Sequence, residues 1–552
     1  MNLAQKIYPL SEKALCIDWG NVIDEHINSL VASLDKLIRL NPFLGFIETV
    51  PAYSTLTIYY QPGLVTGEAK SPFNNVKNYV ETLLPAISPA HQGPGNLIEI
   101  PVCYDAGFGP DLESVAFTND LTKKEVIDIH RNKEYKVYMM GFLPGFAYLG
   151  QLDDAIATPR KQTPALKVKE GSVGIGGKQT GIYPLDSPGG WQIIGRSPLV
   201  LFDPKKENPF LLKTGDRVKF FPINKEEFLQ TWSALRKTSP DSKKMGQADV
   251  VVIKPGAFST LQDGGRWGFQ SFGLPLSGAM DERAFLLANA LAGNSMNEAV
   301  IECTMGGLVL QFKKKACIAV TGAGTALVNH RPVKNYQPLT LWAKDLLEIK
   351  YNHNGIRTYI AVSGGFAAPA LMNSRSSLPL AGIGNILQKE EGVQIESGHS
   401  LQSGKIDHSL IMHYSPEPVI RIFEGPEMTW MNKQETEKIY VQKFSVSHQS
   451  GRMGIRLNSM PIYVNKGEQL VSSAVTKGTI QLTPDGQLIV LMSDCHTVGG
   501  YPRVAQIAAA DLPLIAQSKP GDIIRFKKIL FPEAEELVLA AQKLLNESFS
   551  GH

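Results

Sequence analysis

Three short segments occur twice in this chain, in the same order. Gly171-Ser172-Val173-Gly174-Ile175 is echoed by Gly478-Thr479-Ile480-Gln481-Leu482. Gly189-Gly190-Trp191 is echoed by Gly499-Gly500-Tyr501. Thr214-Gly215-Asp216-Arg217-Val218-Lys219-Phe220 is echoed by Pro520-Gly521-Asp522-Ile523-Ile524-Arg525-Phe526. Each piece alone is ordinary turn-and-strand chemistry. Three in order, at similar spacings, imply a duplicated β module that closes each of two units. The 50 Gly and 35 Pro of the 552 residues favour a turn-rich, mostly β protein with smaller α+β lobes.

The rest of the chain divides around that repeat. Residues 1–85 read as an α+β lobe. It has strands at Ala14–Ile17 and Leu56–Tyr60, an amphipathic helix over Val22–Leu40 and a second helix over Val76–Leu84. Residues 86–222 read as a β domain of short strands, interrupted by helices near Phe108–Thr118 and Lys123–Asn132. Residues 223–248 read as a linker, with a helical start at Glu226–Leu235 and the polar run Lys237-Thr-Ser-Pro-Asp-Ser-Lys-Lys-Met-Gly246. The second unit follows, with one lobe over 249–414 and a second β lobe over 415–545. Its one clear helix is Asp281–Leu291, with Asp281 as N-cap and Gly293 past the end. Strands are expected at Leu308–Phe312, Cys317–Thr321, Thr358–Val362, Val419–Phe423, Gln487–Met492 and Asp522–Phe526.

Several functions lack support. A net charge of +3 is too balanced to argue for nucleic acid or an acidic membrane. No apolar run approaches the ~18 residues of a membrane span, and the N-terminus has no apolar signal-peptide core. The five scattered cysteines form no CxxC pair and read as reduced cytoplasmic thiols. Gly176-Gly177-Lys178-Gln179 fails as a P-loop, because Gln179 stands where a magnesium-binding hydroxyl is needed. There is no GxSxG elbow, no Ser/Gly-rich amidase signature, no Met-Lys-Met biotin site, and no HExxH or HxH spacing for a metal.

Four stretches carry the polar chemistry. Asp494 and His496, after an apolar strand, would share one strand face while Cys495 points away. An Asp so placed can orient a histidine or raise its pKa, which suits a general base. Gln262 and Asp263, followed by Ser277-Gly278 before the Asp281 helix, offer an anion or carbonyl site at a helix N-terminus. Arg452 and Arg456, in a Gly-rich loop, could clamp a carboxylate or phosphate. Phe142, Pro144 and Tyr148, with Gly189, Gly190 and Trp191, set aromatics among turn residues and suit a rigid pocket wall.

These stretches also carry a resemblance. Gly141-Phe-x-Pro-Gly-Phe-x-Tyr-Leu-Gly150, Thr158-Pro-Arg160, Gly171-Ser-Val173 and Ser187-Pro-Gly-Gly-Trp191 resemble the family called allophanate hydrolase subunit 1, or KipI. Gln262-Asp263-x-Gly-Arg266, Pro275-x-Ser-Gly-x-x-Asp281, Ala288-Asn289, Gly293-Asn294, Glu302-x-Thr304, Gly306-Gly307, Ser374-Arg375-Ser376 and Thr497-x-Gly-Gly-Tyr-Pro502 resemble subunit 2, or KipA. The matches cover nearly the whole chain outside the linker and termini. The resemblance implies cyclophilin-like β-barrels in both halves. It also implies a fusion of the B-type and C-type subunits of an ATP-dependent 5-oxoprolinase. With a separate A-type subunit, such a fusion hydrolyses 5-oxoproline to glutamate.

On that reading ATP with magnesium is shared with the A-type subunit, no biotin is attached to this chain, and the substrate is a small amide or lactam. His496 and Asp494 would be catalytic. Gln262, Asp263, Ser277, Gly278, Arg452, Arg456, Thr497, Gly499, Gly500 and Tyr501 would bind substrate. Homo-oligomerisation is left open. The alternatives are the carboxyltransferase part of a biotin-dependent, urea-carboxylase-like enzyme and a regulator that binds a histidine kinase. One departure stands out: where the family usually has two arginines, this chain has Ala165 and Lys167. Lysine cannot reproduce the planar guanidinium fork.

Overall fold

The computed structural model describes residues 5–88, 95–161, 163, 165–236, 248–396, 405–465 and 469–549. The N-terminal lobe is a four-stranded antiparallel sheet in the order Lys6–Ser11, Ala14–Asp18, Thr55–Tyr60, Phe46–Pro51. The two outer strands are additions to the sequence reading. Helices Glu25–Leu40 and Pro72–Leu83 cover one face, and Asp24 caps the first by accepting from the Ile27 amide at 2.8 Å. Side chains of a strand alternate between faces. Leu15, Ile17 and Ile58 therefore pack under the helices, while Cys16 and Tyr59 pack toward the rest of the molecule.

The repeat seen in the sequence is a repeat of topology. In the first β domain the strand order is Gln192–Arg196, Ser172–Ile175, Thr180–Ile182, Ala147–Leu149, Glu134–Met140, Arg217–Pro222, Leu97–Val102. In the last it is Arg503–Ile507, Thr479–Leu482, Leu488–Leu491, Gly454–Asn458, Phe444–Val446, Ile523–Lys528, Val419–Glu424, closed into a barrel. The two orders correspond strand for strand. Each has one parallel pair, between its first strand and its last. The first domain closes only through the bridge between Cys103 and Arg196, whose amides and carbonyls exchange bonds of 2.8 and 2.9 Å. Each also carries a two-stranded flap. Ser187–Gly189 pairs with Ala165–Val168, and Val498–Gly499 pairs with Ser473–Ala474. The Gly-Gly-aromatic corners sit at the ends of these flaps.

Along the chain, the two barrels are separated by a sandwich of a seven-stranded and a five-stranded sheet. Its apolar core runs through Val252, Ile301, Leu310, Ile318, Leu347 and Ile360. Helix Glu282–Leu291 covers the outer face of the five-stranded sheet, packing Ala284, Phe285 and Ala288 on Ala319, Tyr359 and Ala361.

The expected helices are present as Leu112–Thr118, Lys123–Arg131 and Lys225–Leu235. The polar run after the last of these lies outside the described residues. Helices Lys433–Val441, Leu512–Gln517 and Phe531–Phe549 were not expected. The C-terminal helix returns to the N-terminal lobe. Phe531 meets Phe73 edge-on at 5.4 Å, and Glu535 accepts from the Phe73 amide at 2.8 Å. Among the described residues no helix is long and apolar enough to cross a membrane, and all five cysteines are buried and unpaired.

Candidate functional site at the junction of the two halves

The segment Ser493–Gly500 stands between two clusters. It leaves strand Leu488–Leu491 as a turn, not as further strand, with the Cys495 amide donating to Met492 at 3.0 Å. The Asp494 carboxylate does not reach His496. It is clasped by Arg452, through Nε at 2.8 Å and Nη2 at 3.0 Å. Arg452 extends the network with Nη1 to Glu302 at 2.5 Å and Nη2 to the Gly278 carbonyl at 2.7 Å. Burial alone would lower the arginine's pKa, but the Asp494 and Glu302 charges outweigh it and raise it. Burial would likewise raise Glu302, yet Arg452 and Arg357 hold it below the usual carboxylate range.

This corrects two expectations. The i,i+2 spacing does not make an Asp–His pair, because a turn rotates the two side chains apart and a buried guanidinium is the stronger partner for Asp494. Arg452 and Arg456 do not form a clamp. Arg452 is saturated by the protein's own acids, while Arg456 lies exposed on strand Gly454–Asn458. His496 has no hydrogen-bond partner among the described residues, and burial pushes its pKa down to about 4. It is therefore a neutral imidazole at pH 7, the opposite direction from the sequence expectation.

On the His496 side the two halves meet through their corners. Phe142, at φ +65°, places its ring 6.1 Å from that of His496. Gly141 lies so close to Val498 that a Cβ there would come within 2.0 Å of Val498 Cγ2. A Cβ on Gly500 would lie 3.3 Å from Arg160 Nη1. The Arg160 guanidinium in turn stands 5.9 Å from the Trp191 ring. Trp191 packs edge-on against Phe146 at 5.5 Å and Tyr148 at 5.9 Å. Pro144 is buried beside them, and the Gly145 amide donates to Phe272 of the second half at 3.0 Å. Gly190 accepts from Lys161 at 2.7 Å. The Tyr501 carbonyl accepts from Gln481 Nε2 at 3.4 Å. Thr497 keeps its hydroxyl buried without a partner among the described residues. The residues expected to form a pocket wall thus join the halves.

The other side of the segment borders a cavity of about 90 Å³. Ser277, Gly278, Ser493 and Cys495 line it from the second half, and Glu12, Lys13 and Tyr59 from the first. Ser277 has φ +58° and a buried hydroxyl with no partner among the described residues. Its amide donates to the Ser493 carbonyl at 2.8 Å. The helix N-terminus expected as an anion site is instead filled from within. Asp281 accepts from the Ala284 amide at 2.9 Å, and Glu302 accepts from the Met280 amide at 2.8 Å. Asp263 also borders the cavity, but its carboxylate organises a loop. It accepts from the Gly265 and Arg375 amides and from the Ser374 and Ser376 hydroxyls at 2.6–2.9 Å. Gln262 is fully buried and does not border the cavity; its Nε2 donates to Thr260 and Ser377.

Sequence reasoning missed Glu12, Lys13 and Lys477. Glu12 and Lys13 are the two turn residues of the first hairpin, and no motif marks them. Glu12 is 1% exposed. One oxygen accepts from the Ala509 amide at 2.7 Å, and burial pushes its pKa up to about 7. Lys477 donates to the Ala279 and Met280 carbonyls at 3.0 Å.

Comparison with known proteins defines the class. Residues 5–212 match the family described as carboxyltransferase domain, subdomain C and D, and residues 272–528 match carboxyltransferase domain, subdomain A and B. The first half is 45% identical over 232 residues to the B-type subunit of 5-oxoprolinase from Bacillus subtilis, a match covering 41% of this chain and 97% of that protein. The second is 34% identical over 291 residues to the C-type subunit of 5-oxoprolinase from Escherichia coli K12, covering 52% of this chain and 93% of that protein. The crystal structure of TTHA0988 aligns with a TM-score of 0.79 at 28% identity, covering 93% of this chain and 99% of that one. The chain belongs to the carboxyltransferase-domain family of the 5-oxoprolinase subunits, with a B-type half and a C-type half fused in one polypeptide. The expected cyclophilin-like fold is present as well.

Proposed function

We propose that this chain supplies the B and C functions of an ATP-dependent 5-oxoprolinase and, with a separate A-type subunit, hydrolyses 5-oxoproline to glutamate. The observation that carries this reading is the shared junction. Both the corner contact and the cavity take residues from each half, so fusing B-type and C-type chains preserves one composite site.

The one phosphate-loop-like motif of the sequence does not cradle a phosphate. Gly176-Gly177-Lys178 forms a hairpin turn closed by the Gly176 amide on the Gln179 carbonyl at 3.0 Å, and Lys178 pairs with Asp154. No helix N-terminus follows it, and no group of three metal-ligating side chains is gathered among the described residues. In this reading ATP and its magnesium are shared with the A-type subunit. His496 is a neutral imidazole beside Phe142, outside the cavity lining, and its pKa of about 4 makes it a weak base at pH 7, so this reading routes no proton transfer through it or through Asp494.

The test is to mix this chain, the A-type subunit, ATP and 5-oxoproline and to measure glutamate. Glutamate is expected only when all four are present; none from the complete mixture overturns the reading. His496→Ala is expected to cost less than the roughly 10²–10⁴-fold of a general acid or base, and a loss in that range would put it into the mechanism. The matched carboxyltransferase family favours one second reading, transfer of a carboxyl group from carboxybiotin to an amide. Carboxylated product formed with a biotin carboxylase and carrier, and no glutamate with the A-type subunit, would select it.

A further inference from the structure

Two residues that line the cavity beside Ser493 and Cys495 each carry a buried polar atom that the protein leaves unanswered. Glu12 Oε2 and Ser277 Oγ are both buried and have no hydrogen-bond partner among the described residues. Leaving a buried polar atom unpaired is costly, and two such atoms on residues lining one cavity point to a partner there. The two come from opposite halves of the chain, Glu12 from the tip of the first hairpin and Ser277 from a loop held in left-handed backbone geometry.

The surrounding charge narrows the ligand. Lys13 is paired with Glu282 at 3.4 Å, and Lys477 is held by two carbonyls with Glu282 nearby. Asp263 is saturated, and Glu535 acts on Glu12 from the C-terminal helix. The walls are close to charge-balanced and include the apolar faces of Trp267, Leu276 and Phe285. The volume of about 90 Å³ admits a group of a few heavy atoms and no nucleotide. A carboxylate oxygen accepts, and a hydroxyl donates or accepts. One group that satisfies both at once is a secondary amide, which has one N–H to donate and one C=O to accept.

We propose that this cavity binds the amide group of a small lactam, with its N–H donated to Glu12 Oε2 and its C=O accepting from the Ser277 hydroxyl. This rests on the reading of the chain as a 5-oxoprolinase component, since that reading names the lactam. It adds a binding residue from the B-type half and a definite orientation. Glu12 here is a binding residue that accepts in its carboxylate form, the form that burial disfavours in the free chain and a bound donor would favour.

The experiment is calorimetric titration of the full chain with 2-pyrrolidinone, 5-oxoproline and N-methyl-2-pyrrolidinone, which has no N–H to donate. The first two are expected to bind, and the third to bind at least tenfold more weakly. Glu12→Gln keeps the size but places an NH₂ or a weaker acceptor at Oε2, and should weaken lactam binding at least tenfold. Ser277→Ala removes a hydroxyl that satisfies nothing in the free protein. It should leave the melting temperature unchanged or raised while lowering lactam affinity. This result separates a ligand-binding role from a structural one even if Glu12→Gln folds poorly. Absence of lactam binding to the wild-type chain, equal affinity for the N-methyl compound, or unchanged affinity in Ser277→Ala would overturn the proposal. If the wild-type chain makes glutamate with the A-type subunit while both variants bind lactam as before, this site is removed and the proposed function stands. Binding that depends on Glu12 and Ser277, with no glutamate formed, would do the reverse.

Discussion

The two barrels share one strand order and one flap, yet they treat the acid ahead of the corner in opposite ways. In the first barrel Asp186 pairs with Lys167 at 2.8 Å, and both side chains are about half exposed or more. The Lys167 hydrogen bond lowers the Asp186 pKa. In the second, Asp494 and Arg452 are each 8% exposed and linked to a fully buried Glu302 of the sandwich. A surface pair is screened and contributes little. A buried pair is costly to break, because one partner is left as an uncompensated charge. Duplication therefore reproduced the scaffold, while burial against the sandwich gave the second copy an ionic network tying barrel to sandwich. The Lys167 departure from the family pattern sits on the solvent-exposed side of this contrast, where it already has Asp186 as a partner.

The comparison can be broken at its strong end first. Arg452→Met strips both Glu302 and Asp494 of their counter-charge. We expect a loss of about 3–5 kcal/mol in urea unfolding, and a loss below ~1 kcal/mol, the scale of a surface pair, would mean that the network does not lock the lobes. Next is the contact between the corners. Gly141→Ala drives a methyl into Val498 and should cost about 1–3 kcal/mol by overpacking, accompanied by weaker docking of the halves in hydrogen exchange. A third effect is pH-dependent. Glu12 titrates at about 7 in the fold and at 4.5 in its reference state. Between those values the folded chain binds the extra proton, so this group makes stability fall as pH rises, by at most about 1.4 kcal/mol per unit. His496, lowered to about 4, contributes the opposite slope between about 4 and 6.5. The difference in unfolding free energy between Glu12→Gln and wild type should therefore move in favour of the variant from pH 5 to pH 7; a flat difference would refute the raised pKa. Smallest is Lys167→Ala, expected to shift stability by less than ~1 kcal/mol and to lose even that in high salt.

Much of the fold was legible because it is written in local spacing. The Asp281 cap, the Thr358–Val362 and Leu308–Phe312 strands and the threefold echo between barrels all follow from neighbours within a few residues. The outer strands of the first lobe and the returning C-terminal helix were not legible. Their reason for existing lies in contacts such as Phe73 with Phe531, more than 450 residues apart in the chain. The candidate site divides in the same way. Ser277, Gly278 and the Asp494–Gly500 segment stood out as motifs, and the structure brings them to one junction. Asp263 and Arg452 stood out equally but are consumed by internal partners, and sequence spacing cannot show which polar groups are already satisfied.

By itself, then, the amino-acid sequence determined a two-unit chain with a repeated β module and the turn chemistry of its corners, because hydrophobic period and Gly/Pro placement act over short range. The tertiary structure alone decided that Asp494 belongs to Arg452 rather than His496, and that Glu12 and Ser277 face one cavity. Pairing, burial and protonation depend on what surrounds a group in space. For these residues the surroundings come from the other half of the chain or from the neighbouring lobe.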